Sequence, residues 1–242
     1  MNTINKKNFV KEMISSLQFQ TLIELLIALA GFLLMVQGIE NQQTLVFLAG
    51  SVAFIFGAYL YQSKVTQTKI WRSGLTGQHR VEEALANLDD RYTLINNMSL
   101  PFKKCDMDHI LIGPNGIFLI ETKNYKGEIT CIGDRWEYQK VGRNGGLYRG
   151  HINNPSKQLK RSIWELKNYL DKKSKKILQQ SAFPYWIQGV LVFTNKEAVL
   201  RTRDETVVVV YLDQLLGFIR SYRNEVLHSK DIEQIIKLFK EL

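Results

Sequence analysis

Hydrophobic residues are distributed along this chain in two different ways. In the first quarter they run almost unbroken: Phe19 to Ile39 is apolar apart from Gln20, Thr21, Glu24 and Gln37, and Thr44 to Tyr61 contains no charge. Crossing ~30 Å of hydrocarbon takes about 20 helical residues. Both runs approach that length, and only a short turn ending at Gln43 separates them. The pattern predicts two antiparallel transmembrane helices, about 19–39 and 44–61, with Ala49, Ala53 and Gly57 forming a small-residue face for close packing. Glu24 lies one turn from the membrane face, where it can reach headgroups or the partner helix.

Beyond Tyr61 the apolar positions become periodic and shorter. A polar stretch, roughly 62–74, reads as a linker. Thr76 then caps a helix to about Leu88, with Val81, Ala84, Leu85 and Leu88 at helical spacing. Tyr92 to Asn96 reads as a strand, Glu128 to Ile132 and Trp136 to Gln139 as a strand pair turning at Gly133-Asp134, and Gly142 to Gly150 as a loop. Asn153-Asn154-Pro155 starts a helix to about Leu170, with proline suited to its first turn. Ile187 to Phe193 and Val207 to Leu212 read as strands, and Asp213 to Tyr222 and Asp231 to Leu242 as helices. The chain thus divides into a membrane anchor (1–63), a linker (64–73) and an α/β domain (74–242) with a mixed sheet flanked by helices.

The most informative stretch runs from Asp106 to Gly127, DMDHILIGPNGIFLIETKNYKG. Two β-branched runs, Ile110 to Ile112 and Ile117 to Ile120, flank Gly-Pro-Asn-Gly, which predicts a β-hairpin. An antiparallel pair brings the start of its first strand beside the end of its second. Asp108 therefore comes near Glu121, while Lys123, two residues on, shares the face of Glu121. Two carboxylates with an ammonium beside them suit a divalent metal and phosphodiester chemistry. Asp106 is nearer the frayed end of the strand and reads as solvent-facing. His109, on the opposite face from Asp108, reads as structural.

These residues resemble the nuclease-related domain (NERD) family, a branch of the PD-(D/E)XK, restriction-endonuclease-like fold. The matching positions are Asp108-His109, Gly113-Pro114-Asn115-Gly116 and Glu121-Thr122-Lys123-Asn124, with Gly74 and Gly77 upstream and Asn154-Pro155 and Gln158 downstream. The resemblance covers about 74–195. It implies a core ordered helix, three strands, helix, strand, and it matches Gln158 to the family's glutamine, which orients phosphate or water. The family usually has glutamate directly after the second glycine, where this chain has Gln78. Glu82, one turn later and about 40° around the helix, can take that acid's place. The implied site is Asp108, Glu121 and Glu82 on Mg²⁺ or Mn²⁺, with Asp108, Glu121, Lys123 and Gln158 catalytic.

Charge adds a partner. The net charge is +9, and residues 1–63 sum to zero, with Lys6, Lys7 and Lys11 against Glu12, Glu24 and Glu40. The whole excess therefore lies beyond residue 63, in the linker and the α/β domain together, which suits a polyanion such as nucleic acid; the expected partner is DNA ahead of RNA. Arg143, Arg149, Lys157 and Arg161 are the expected phosphate contacts. The lysines before the first span, with Lys64, Lys69 and Arg72 after the second, place both termini on the cytoplasmic side of the inner membrane. Cys105 and Cys131 have no metal-ligand spacing. The expected function is a membrane-tethered, metal-dependent nuclease. The alternative is a weakly active or inactive nucleic-acid-binding scaffold of the same fold.

Overall fold

The computed structural model describes residues 1–100, 107–142, 145–177, 183–223 and 226–240. Cys105, Asp106 and Arg143, all singled out above, lie outside them. The chain divides into two units, Phe9–Leu75 and Met1–Asn8 with Thr76–Leu242. This departs from the expected boundaries at both ends of the anchor.

The first unit is a helical hairpin built from α1 (Phe9–Glu40) and the greater part of α2 (Thr44–Leu85). Both helices are long and apolar enough to cross a membrane. Their contact is made by glycines: a Cβ on Gly31 would stand 2.4 Å from the backbone of Phe54, and one on Gly57 2.7 Å from that of Ala28. Of the expected small-residue face, Ala53 and Gly57 take part, but Ala49 is exposed and Gly50 is buried instead. The expected linker is helical, because 62–73 contains no proline or glycine and the backbone never loses a donor. Thr76 consequently lies inside α2 and not at its N-terminus.

In the second unit, a six-stranded sheet has the order β1-β2-β3-β4-β8-β10, and a four-stranded sheet the order β7-β6-β5-β9. Their strands are β1 (Asn2–Asn5), β2 (Thr93–Met98), β3 (Met107–Gly113), β4 (Gly116–Lys123), β5 (Gly127–Ile132), β6 (Arg135–Val141), β7 (Leu147–Arg149), β8 (Ile187–Phe193), β9 (Ala198–Arg203) and β10 (Val208–Tyr211). Three were not expected. β1 pairs parallel with β2, β7 forms within the predicted 142–150 loop, and β9 pairs parallel with β5. The central β2-β3-β4 meander is antiparallel, and β4, β8 and β10 run parallel. The helices α3 (Pro155–Ile177), α4 (Leu212–Ser221) and α5 (Ser229–Lys240) complete the unit.

Strand alternation sorts the core into two layers. Phe118 and Ile120 of β4 meet Val81 and Leu85 of α2 and Leu215 and Ile219 of α4. Ile117 and Leu119 meet Leu159 and Leu166 of α3 and Ile235 and Leu238 of α5. Val81 and Leu85 are fully buried, each contributing about 2 kcal/mol by removal from water. The end of α2 is thereby locked onto the sheet, and the alternation that seats it leaves Glu121 and Lys123 facing α3.

Candidate active site

The hairpin forms as its sequence predicts. Gly113 pairs with Gly116 around Pro114-Asn115, and the ladder runs up to His109 and Ile120. Gly116 adopts φ +131°, a conformation open to glycine alone at little cost. One step past that last pair, Asp108 stands by Glu121. Its carboxylate Oδ2 accepts the Thr122 backbone N–H at 2.8 Å, fastening the two strands where the ladder ends.

Two helices add one glutamine each. α2 reaches the strand end because Gly77 has no side chain: a Cβ there would lie 3.0–3.1 Å from Thr194, Asn124 and Thr122. The next residue, Gln78, donates its amide to Asp108 Oδ1 at 2.6 Å. The reverse orientation would set amide oxygen against carboxylate, so Gln78 Oε1 is left buried without a hydrogen-bond partner. From the other layer, Asn154 caps α3 by accepting the Lys157 backbone N–H at 2.9 Å, with Pro155 in the first turn. Gly189 lets this helix approach β8, since a Cβ would meet Ile163 at 2.6 Å. Gln158 thereby donates to Glu121 Oε1 at 2.6 Å and accepts from Lys123 Nζ at 3.0 Å.

Lys123 Nζ also lies 2.7 Å from Glu121 Oε1, with the lysine side chain 16% and the glutamate side chain 8% exposed. Burial pushes the ammonium down, but the Glu121 and Asp108 carboxylates push it up by more, so its pKa ends above the ordinary lysine value. Lys123 is therefore held as a cation at neutral pH.

Behind the site, Asn5, Asn96 and His109 are neighbours across β1, β2 and β3. Asn96 donates to Asn5 at 2.8 Å, and its carbonyl lies 2.8 Å from His109 Nδ1. His109 is 1% exposed, and burial pushes its pKa down to about 4. It is a neutral, interior group, as expected.

Glu82 is not part of the acidic pair. It lies four residues past Gln78 on α2, about 6 Å further along the helix, where it contacts His79 at 3.3 Å and acts electrostatically on His109. Among the described residues, no three His, Cys, Asp or Glu side chains come together as a metal cluster. The oxygens that could hold a hard cation are the Asp108 and Glu121 carboxylates with Gln78 Oε1. An all-oxygen set containing an unpartnered buried carbonyl fits such an ion.

Of the expected phosphate contacts, Lys157 is exposed on the first turn of α3 beside Gln158, and Arg161 pairs with Glu165 at 2.8 Å. Arg149 lies instead on β7, in an open cleft with Arg135 and Tyr148. Arg80 was not anticipated. It donates to the Thr194 carbonyl at 3.1 Å, beside the end of β8. A basic residue on a helix gives no sequence signal for such a contact.

A mixed α/β core with an Asp and a Glu-x-Lys gathered at one end of its sheet defines a nuclease-related domain. The chain belongs to the nuclease-related domain family, whose model matches residues 73–194, half of the chain. An uncharacterized protein of Bacillus anthracis is 29% identical over 106 residues, 41% of this chain and 49% of that protein. The chain thus spans about half the length of this curated relative. No solved structure matches it.

Proposed function

We propose that the chain is a metal-dependent nuclease that cleaves phosphodiesters, DNA ahead of RNA, at a cytoplasmic membrane surface. The observation that carries this reading is the Lys123 ammonium. It is held between Glu121 and Gln158 at a strand end that also presents Asp108. Asp108, Glu121 and Gln78 Oε1 would hold Mg²⁺ or Mn²⁺, which supplies Lewis-acid activation of water and phosphate when bound. Lys123 stabilises negative charge developing on the phosphate, since it stays protonated and partly shielded from water. Gln158 fixes the lysine and the glutamate in one geometry, which limits the reorganisation needed during reaction. Lys157 and Arg161 extend positive charge along α3 for the flanking backbone.

Membrane tethering by the α1–α2 hairpin is part of the proposal. It rests on the length and apolarity of both helices and on basic residues flanking the spans with none between them. The test is plasmid nicking by the full chain in detergent, because Met1–Asn8 belong to the globular unit. Nicking with Mg²⁺ or Mn²⁺, lost in chelator and in Asp108→Asn, is the expected result. A second reading, a nucleic-acid-binding module with little catalysis, is favoured by Gln78, a neutral side chain hydrogen-bonded to Asp108. Binding without cleavage under every divalent metal would select it.

A further inference from the structure

A second charged site lies at the other end of the hairpin. Asn115, in the β3–β4 turn, is six residues from Glu121 along the strand, roughly 20 Å away at ~3.3 Å per residue. Beside it opens a cleft of about 480 Å³ whose lining includes Asp89, Arg91, Tyr92, Asn115, Arg220 and Arg223. The three arginines come from separate places: the segment between α2 and β2, the last turn of α4, and the residues just after it.

Their hydrogen bonds leave much of the charge uncompensated. Arg91 is held by Asp89, with contacts of 3.1 and 2.7 Å. Arg220 and Arg223 donate to backbone carbonyls: Arg220 to Asn87 at 3.0 Å, and Arg223 to Arg220 at 2.6 Å and Tyr222 at 3.0 Å. Anchoring to neutral carbonyls fixes a guanidinium without cancelling its charge, and the fork has donors to spare. The convergence is visible at Tyr92, whose hydroxyl donates to Asn115 at 2.9 Å. Burial and Asp89 raise this phenol's pKa, while Arg91, Arg220 and Arg223 each lower it. All three cationic fields therefore reach the same point.

We infer that this cleft is a binding site for a terminal phosphate group, carried by a small phosphate ester or by the end of a polynucleotide. Three guanidinium groups against one carboxylate leave two net positive charges among the described residues. That matches a phosphate monoester, which carries nearly two negative charges at neutral pH, better than the single charge of a phosphodiester. Guanidinium forks are suited to bidentate contact with such an anion. The site goes beyond the proposed nuclease reading and does not depend on it, since none of these residues touches Asp108, Glu121 or Lys123 in the contacts described.

The test is calorimetric titration of the full chain in detergent with inorganic phosphate, in chelator so that no metal-dependent step contributes. Saturable binding is expected. Arg220→Gln with Arg223→Gln should weaken it at least roughly tenfold, since it removes two charges and their charge-assisted hydrogen bonds to the anion. Asp89→Asn, which removes the competing carboxylate, should tighten it, and Arg135→Gln on the other sheet should leave it unchanged. All three arginines are exposed, so the melting temperature of each variant should stay near wild type. An oligonucleotide with a 5′-phosphate that binds tighter than its 5′-hydroxyl form, with the difference lost in the arginine double variant, identifies a polynucleotide end as the carrier. Equal binding of the two oligonucleotides, with phosphate binding retained, identifies a small ester. No saturable phosphate binding, or binding indifferent to both arginines, overturns the assignment.

Discussion

Gln158 and Glu121 are joined across the helix–sheet boundary by a 2.6 Å hydrogen bond, and the glutamate oxygen that accepts it is the one facing Lys123. The exposed glutamine therefore holds a buried carboxylate and a half-buried ammonium in register. Gln158→Ala should change stability by only about 1 kcal/mol while lowering the cleavage rate about tenfold or more. Gln158→Glu should be at least as damaging, because it sets a second carboxylate against Glu121. Equal rates for wild type and Gln158→Ala in a nicking assay would remove Gln158 from the site.

Gln78 supplies a sharper test, through metal. Its amide N–H is 2.6 Å from Asp108 Oδ1, so Gln78→Glu places two carboxylates in contact. Without divalent ion, the variant should melt below wild type at neutral pH. With Mg²⁺ or Mn²⁺ it should gain more than wild type gains, since a ligand bound only by the folded state stabilises it in proportion to its affinity. Glu82→Gln should alter neither curve. Melting of both variants with and without chelator distinguishes these outcomes, and an equal metal response in wild type and Gln78→Glu would place the ion elsewhere.

The Lys123–Glu121 pair should behave as a buried unit. Lys123→Met leaves Glu121, 6% exposed, without its cation and should cost about 3 kcal/mol. Adding Glu121→Gln removes the stranded charge and should restore part of that loss, while cleavage stays absent. Urea unfolding of the two single variants and the double variant measures the coupling. Strictly additive losses would contradict it.

His109 makes the fold acid-sensitive. Its pKa is about 4 when folded, against an ordinary 6.5, so the unfolded chain takes up the proton first. Stability should be intact above about pH 6.5, fall through the interval down to about pH 4, and lose no more from this group below it. A shift of this size corresponds to about 3 kcal/mol. His109→Gln should be less stable at pH 7, having lost the imidazole contact with Asn96, but should show a shallower decline between pH 6.5 and 4. Parallel slopes in the two proteins would assign the acid sensitivity to other groups.

Topology is checked separately. A reporter fused after Leu242 should be active in the cytoplasm, and one inserted at Glu40 to Gln42 should be active outside. Digestion of the C-terminal domain by protease added to intact cells would reverse the proposed orientation.

Local pattern determined much of this molecule. The two apolar runs are legible because spanning length is a property of a contiguous segment. The β3–β4 hairpin is legible because β-branched runs around Gly-Pro-Asn-Gly encode strand, turn and facing together. Period-2 alternation then puts Glu121 and Lys123 on one face, and antiparallel pairing brings Asp108 to them. Tertiary structure decided what sequence distance conceals. Asn2–Asn5 is too short to show a period, and becomes a strand only because β2 offers an edge. The helix α2 continues through its polar stretch because no residue there breaks it, and its buried end docks on the sheet. That docking gives Asp108 the neutral Gln78 and sends Glu82 toward His79 and His109, since one helical turn carries a side chain about 6 Å from the strand end. The three arginines at the hairpin turn lie far apart in the chain, and only the packing of α4 beside Tyr92 and Asn115 brings their charges together.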